Sequence, residues 1–261
     1  MTSPIRLVTT FVLFTILISS GACAQEQNED REWKPEDTEL YEPVPPKIST
    51  EPSFLPPPSD AIILFEGTDL SAWESADGGP AEWKVEEGAF TVVPGTGSIV
   101  SKRDFNDIQL YLEWRSPEVI EGEGQGRGNS GVLIQRRYEV QVLDAYNNET
   151  YVNGMAGSVY KQHIPLVNPA VPPGEWQTYN IIFEAPEFDH DGNLLEPAYV
   201  TVFWNGVPVQ VRSEIEGPTR YIGLPEYSAH GDDGIQLQDH SNPVSYRNIW
   251  VRELKETPVW D

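Results

Sequence analysis

The chain has 261 residues, of which 41 are acidic and 17 basic, so its formal net charge is −24 at pH 7. A charge of this sign and size repels phosphate backbones, and we therefore expect no nucleic acid among the partners. The single cysteine, Cys23, excludes an internal disulfide and any cysteine-rich metal site.

Residues 1–24 have the pattern of an export signal. Arg6 precedes an apolar run at 7–18 that is too short to span a bilayer. The Ala-Cys-Ala sequence at 22–24 fits the cleavage site of a soluble secreted protein, whereas 20–23 resembles a bacterial lipobox that would leave Cys23 lipidated. Both alternatives predict an extracytoplasmic protein, secreted, periplasmic or held at a membrane only through a lipid anchor at Cys23.

Residues 25–59 are acidic and then rich in proline, with neither helical nor strand periodicity. This composition predicts a disordered linker, which is either an extended tether or an ordinary N-terminal extension. Residues 60–255 are predicted to form one folded domain, and residues 256–261 a C-terminal tail. A domain of this size buries enough surface to need no metal or disulfide for its stability.

Beyond residue 60, β-branched and aromatic residues recur at period 2, between clusters of Gly, Pro, Asn and Asp. Asn205-Gly206 is typical of a two-residue type I′ hairpin turn. No convincing amphipathic helix interrupts the pattern, so the fold class is all-β, a sandwich of two antiparallel sheets. The clearest predicted strands are 108–115, 138–142, 176–183, 198–204, 207–212, 235–238 and 246–254.

Three of these strands carry an unusual density of polar side chains at period-2 spacing. In 138–142, burial of the two valines directs Glu139 and Gln141 to the opposite face. His240 lies in a polar run at a strand end, where an imidazole can act as a base near neutral pH. These side chains suit carbohydrate binding, although a solvated sheet face explains any one of them alone. They are Glu113, Arg115, Glu139, Gln141, Gln236, Gln238 and His240.

The sequence contains no serine in a Gly-x-Ser-x-Gly elbow, and its cysteine belongs to the export signal. Nucleophilic triad chemistry is therefore not supported. The remaining candidates for catalysis are carboxylate, imidazole or metal chemistry.

Several ordered motifs resemble the 3-keto-disaccharide hydrolase domain family, formerly a domain of unknown function. The resemblance covers nearly all of residues 60–254. It rests on the segments 64–67, 70–73, 128–132, 138–144, 173–177, 237–243 and 247–251.

This resemblance implies a concanavalin-A-like jelly roll, the fold of certain lectins and glucanases. It also implies a set of polar site residues, without assigning their roles. The family's motif positions fall on Asn129, Glu139, Gln141, Asp144, Gln238, Asp239 and His240.

The implied substrate is a 3-keto glycoside or disaccharide. A base removes the C2 proton, which the ketone acidifies, the C1 substituent leaves, and water then adds, so that the net reaction is hydrolysis. We hypothesise His240 or Glu139 as the base. Asp144, Gln141 and Gln238 either orient the sugar or join a divalent metal ion that stabilises the enolate.

Two alternatives are weighed against this mechanism. Retaining hydrolysis needs a second carboxyl group close to the first, but positions 139, 141 and 143 hold Glu, Gln and Leu, where glucanases of this fold carry Glu, Asp and Glu. The second alternative is a non-catalytic carbohydrate-binding module, in which Tyr111 and nearby tryptophans form a shallow platform for sugars.

Overall fold

The computed structural model describes residues 31–254, of which residues 34–254 belong to one compact unit. The predicted export signal with Cys23, the first part of the predicted linker and the predicted C-terminal tail lie outside the described residues. No helix within 31–254 is long and apolar enough to cross a membrane.

The described residues contain fifteen β-strands and three one-turn 3₁₀ helices, the latter at Pro35–Thr38, Gly124–Gly126 and Val152–Gly154. The strands are β1 Ile62–Phe65, β2 Trp73–Ser75, β3 Lys84–Glu86, β4 Ala89–Thr91, β5 Ile99–Phe105, β6 Ile108–Arg115, β7 Ser130–Ile134, β8 Tyr138–Val142, β9 Gln177–Glu184, β10 Glu187–Phe188, β11 Leu194–Glu196, β12 Tyr199–Trp204, β13 Val207–Glu214, β14 Asp233–Leu237 and β15 Ser245–Glu253.

These strands build two main antiparallel sheets. The larger sheet has eight strands in the order β13-β12-β9-β6-β15-β4-β3, with β1 also paired to β15. The smaller sheet has five strands in the order β2-β5-β14-β7-β8, and β10 and β11 form a separate hairpin. The predicted all-β sandwich of two antiparallel sheets is confirmed.

The hydrophobic core lies between the two sheets, because alternate residues of each point inward. Tyr138 of the smaller sheet packs on Phe183 of the larger, with ring centroids 5.5 Å apart. The Tyr179 hydroxyl also crosses the core and donates a 2.7 Å hydrogen bond to the carbonyl of Gln141. Each buried aromatic side chain contributes roughly 1.5–3 kcal/mol to folding, so this interface fixes the position of β8.

The turn between β12 and β13 is the one that the sequence predicts. Asn205 and Gly206 have φ values of 52° and 79°, the left-handed conformation that a type I′ turn requires at both positions. The Asn205 side chain accepts a hydrogen bond from the backbone N–H of Thr178, which ties the turn to β9.

Residues 34–58, called the strap below, correct the prediction of a disordered linker. After the 3₁₀ turn at Pro35–Thr38 the strap contains no further helix or named strand, and Lys47 forms an isolated parallel bridge with Asn168. The carbonyl of Leu40 accepts a bond from Val152, and the N–H of Ile48 donates to the carbonyl of Asn168. Proline restricts the backbone, so the strap loses little conformational entropy when it docks. Scattered backbone hydrogen bonds can therefore hold a segment that has few apolar residues.

The strap also changes the environment of β6. The sequence places Tyr111 and Glu113 on a polar face, and they do lie opposite the core, but both are buried. The Tyr111 hydroxyl accepts a 2.9 Å hydrogen bond from Leu55 of the strap, and its ring stacks on Trp250 at 5.1 Å. A segment distant in sequence therefore covers this face.

Candidate functional site

The outer face of the five-stranded sheet gathers most of the predicted polar residues. Leu133 of β7 pairs with Glu139 of β8, and Gly131 pairs with Gln141. The N–H of Gln238 donates to the carbonyl of Gly131, so Gln238 continues the same row beyond the end of β14. The period-2 spacing within the strands and the register between them thus place these side chains on one surface.

Loops and part of the strap turn this surface into a cavity of about 760 Å³. This volume lies within the usual range of sites for small molecules. The cavity is lined by the predicted residues Asn129, Glu139, Gln141, Gln238 and His240, together with Glu39, Gln125, Gly126, Leu133, Arg136, Arg137, Tyr151, Tyr160, Pro218, Thr219 and Tyr221.

Glu139 is the most perturbed acid of this cavity. Its residue is only 5% exposed, and no hydrogen bond among residues 31–254 reaches its carboxyl oxygens. Burial, which disfavours the charged form, raises the pKa of Glu139 to about 8. Gly131 provides the space, since a Cβ at that position would overlap the carboxyl group. Gly131 therefore supports the site by leaving room for this side chain.

Gln141 and Asn129 are held by a third amide, Gln125. Gln141 donates a 3.1 Å hydrogen bond to the Gln125 side chain, and Asn129 donates a 2.8 Å bond to the Gln125 carbonyl. The Oδ1 atom of Asn129 has no hydrogen-bond partner although the residue is only 3% exposed. Since buried acceptors are nearly always satisfied, this oxygen is an exception in the wall of the cavity.

Gln238 and His240 follow β14 at the side of the cavity. The backbone of Gln238 is fixed by its bond to Gly131 and by the Ser130 hydroxyl, which donates to its carbonyl at 2.6 Å. The His240 side chain is exposed and makes no hydrogen bond to the rest of residues 31–254. Both side chains can therefore meet a bound molecule.

Three tyrosines that the sequence analysis did not single out form another wall. The hydroxyls of Tyr151 and Tyr160 lie 2.6 Å apart, and burial raises the pKa of both, that of Tyr160 to about 12. Tyr221 presents a ring that is 60% exposed. These residues lie in loops without period-2 spacing, so no periodic signal marks them.

Five of the predicted polar residues do not line this cavity, and Gln236 of β14 is one of them. Glu113 and Arg115 belong to β6 of the other sheet, where Glu113 accepts a 2.6 Å bond from Arg247 and Arg115 lies over the Trp176 ring. Glu113 and Arg115 therefore lie on a different sheet from Glu139, and periodicity within a strand does not show which strands are neighbours.

Asp144 and Asp239 lie near the cavity but bind protein groups. Asp144 pairs with Arg127 at 2.7 Å, and burial raises its pKa while the arginine opposes the rise. One Asp239 oxygen accepts from the backbone N–H groups of Gly95 and Gly97 at 2.8 and 3.0 Å. Both acids therefore position loops beside the cavity.

The donors in the cavity only partly suit a divalent metal ion. Within residues 31–254, no group of three His, Cys, Asp or Glu side chains could hold one. Glu39, Glu139 and His240 line the cavity as potential ligands, and such a mixed set would hold a hard ion at modest affinity. A metal ion stays a prediction.

Comparison with known proteins identifies the family. The sequence matches a 3-keto-alpha-glucoside-1,2-lyase-like domain over residues 60–252. The chain belongs to this family. The resemblance seen in the sequence motifs is thereby confirmed, and membership supports an enzyme that acts on glycosides. Every cavity residue from Gln125 to His240 lies inside the matched region, whereas Glu39 precedes it.

Solved structures agree with this assignment. The chain is 53% identical to a candidate glycosyl hydrolase from Parabacteroides distasonis, covering 84% of this chain and 96% of that one with a TM-score of 0.75. A second candidate glycosyl hydrolase from the same organism is 21% identical over 75% of this chain and 94% of its own, with a TM-score of 0.58, which shows the shared fold. No protein of curated function matches the chain.

Proposed function

We propose that the protein is an extracytoplasmic enzyme that cleaves 3-keto glycosides, disaccharides among them, by elimination followed by hydration. The base takes the C2 proton, the bond from C1 to the glycosidic oxygen breaks, and a C1=C2 double bond forms as the protonated substituent leaves. Water then returns a hydroxyl to C1 and a proton to C2. The sum of the two steps is hydrolysis, with no change in oxidation state.

The environment of Glu139 is the observation that carries this proposal. A base is most effective when its pKa lies near the working pH, and a buried carboxyl with a pKa of about 8 meets that condition. A carboxyl without a hydrogen-bonding partner is also ready to receive a proton from a ligand. Glu139 is therefore assigned as the base.

His240 is assigned as the acid that protonates the leaving group. Its exposed imidazole lies at the side of the same cavity, where it can donate a proton to the departing oxygen. Asn129, Gln141 and Gln238 supply polar contacts that orient the sugar. A divalent ion, if one binds, would polarise the keto oxygen.

The geometry disfavours the alternative of a carbohydrate-binding module. Its proposed platform required Tyr111 and nearby tryptophans on the surface, but Tyr111 is fully buried and Trp250 is 2% exposed. The polar residues line a cavity of about 760 Å³ that also holds a buried acid. Simple adhesion to sugars does not require such an acid.

A cleavage assay tests the proposal. The purified protein is incubated with matched 3-keto and unoxidised glucosides, with and without a chelator, beside the variants Glu139→Gln and His240→Ala. We expect release of the C1 substituent from the keto glucosides only, and a loss of about 10²–10⁴-fold in kcat for Glu139→Gln. The matched control is Glu226→Gln, since Glu226 is exposed and does not line the cavity.

Each other outcome has a definite meaning. Equal cleavage of both glucosides would contradict the elimination mechanism. Binding without turnover would support the module instead. Full activity of Glu139→Gln would remove Glu139 as the base, and loss of activity with chelator would establish the metal requirement.

A further inference from the structure

One wall of the cavity includes Glu39 of the strap, a segment that lies outside the matched family region. The family match begins at residue 60, whereas Glu39 lines the cavity beside the loop tyrosines. The Glu39 side chain is 12% exposed, so the cavity side of the strap is largely enclosed. A residue that the family motif does not supply thus meets the candidate substrate site.

Lys161 holds this wall together. Its ammonium group donates a 2.7 Å hydrogen bond to the carbonyl of Pro35 in the strap and a 2.9 Å bond to the carbonyl of Tyr221. It also lies 3.8 Å from a Glu39 carboxylate oxygen, and the rings of Tyr151 and Tyr221 surround it at 5.4 and 4.8 Å. The buried Lys161 ammonium group therefore joins the strap to the loop that carries Tyr221.

Glu39 is held in place but retains hydrogen-bonding capacity. One carboxylate oxygen faces Lys161 and the other accepts a 2.9 Å bond from the Tyr41 hydroxyl. An ionised carboxylate has about four acceptor positions, so these two contacts leave others for a ligand. Sugar hydroxyls are donors that suit such an acceptor, and a fixed carboxylate binds them without further loss of side-chain freedom.

We propose that Glu39 is a specificity-determining residue that accepts hydrogen bonds from hydroxyl groups of the bound saccharide, and that Lys161 is its positioning residue. The inference rests on the proposed function in taking a saccharide as the ligand. It goes beyond that function in making the strap part of the binding site. A chain that lacked the strap would then lose substrate affinity although all the matched family residues remained.

The test compares Glu39→Gln with Glu51→Gln. Glutamine keeps the size of the side chain and can still accept from Tyr41, while Glu51 is exposed in the same strap and does not line the cavity. We expect Glu39→Gln to raise KM for a 3-keto disaccharide about 10- to 100-fold, with kcat within about twofold of the wild type. Glu51→Gln should leave both constants unchanged, and equal denaturation midpoints would exclude a folding defect.

Lys161 is tested by Lys161→Met and Lys161→Arg. We expect the methionine variant to raise KM in the same way, and the arginine variant to recover part of the loss because it restores a cation. If Lys161→Met lowered stability without changing KM, the positioning role would be wrong.

Binding is measured separately, so that failure of the proposed reaction is recognisable. Titration calorimetry with unoxidised disaccharides gives Kd even if the wild type turns over no keto substrate, and in that case Glu39 is judged by the ratio of Kd values. Unchanged Kd and KM in Glu39→Gln would overturn the inference. Absence of binding to every saccharide by the wild type would overturn it too.

Discussion

Glu139 is buried at a position where the sequence pattern predicts only an outward-facing side chain. The alternation in 138–142 correctly places Glu139 and Gln141 opposite the valines that face the core. It does not predict that loops and the strap close over this face, nor that the carboxyl pKa rises to about 8. The burial and the raised pKa arise from segments that are distant in sequence, and periodicity within one strand cannot predict them.

The shifted pKa makes a prediction about stability. The unfolded carboxyl titrates near 4.5, whereas the folded one keeps its proton up to about 8, so the folded state binds more protons between these values. The free energy of unfolding must therefore fall as the pH rises from 4.5 to 8. Glu139→Gln removes this titration, and we expect it to be more stable than the wild type at pH 9, by up to about 5 kcal/mol.

Denaturant titration of both proteins at pH 5 and pH 9 measures this difference. At pH 5 the two proteins should differ little, because the wild-type carboxyl is protonated in the folded state. A difference that did not depend on pH would show that Glu139 has an ordinary pKa.

At the scale of elements, β7 and β8 act as a pair whose close packing shapes the site. Gly131 has no side chain, and the space that a Cβ would take is occupied by the Glu139 carboxyl. We expect Gly131→Ala to displace this carboxyl, to lower kcat at least about tenfold and to cost about 1–3 kcal/mol of stability through overpacking. Gly231→Ala is the matched control, since a Cβ there meets nothing within 4 Å.

The kinetic and denaturation measurements on the two alanine variants separate the effects. If Gly131→Ala retained full kcat, the carboxyl position would not matter for the reaction. If Gly231→Ala lost as much activity, glycine substitution itself would be the cause.

The strap shows which elements a sequence predicts less well. Strands β6, β8 and β12 agree closely with their predicted ranges because period-2 alternation marks them directly. The strap has no such period, and its order comes from single bonds to residues more than 50 positions away. Composition does not predict that the strap is docked on the domain.

Hydrogen exchange tests the docking of the strap. The backbone N–H groups of Leu40, Ile48 and Leu55 donate to Asn153, Asn168 and Tyr111 respectively. We expect their exchange to be slowed at least about tenfold relative to the rates of an unstructured chain. Exchange at unstructured rates along all of residues 34–58 would support the linker interpretation instead.

The described part of the molecule combines the matched family region with the strap that precedes it. The strongly acidic composition, the family motifs and the all-β class were accessible from the sequence, and the family match and the two sheets confirm the last two. The division of polar residues between the two sheets was not accessible, since Glu113 and Glu139 have the same strand pattern but lie on different sheets. Export and lipidation at Cys23 stay predictions.

Removal of the C2 proton is the central claim, and it is tested most directly by cleaving a 3-keto glycoside in D₂O and locating deuterium in the product by NMR. Elimination and hydration take the hydrogen at C2 from solvent, so we expect deuterium at C2 of the product. In Glu139→Gln, deuterium incorporation should fall by the same factor as the cleavage rate. The isolated product, incubated without enzyme, controls for spontaneous exchange. A product that kept protium at C2 would show direct hydrolysis and contradict the assignment of Glu139 as the base.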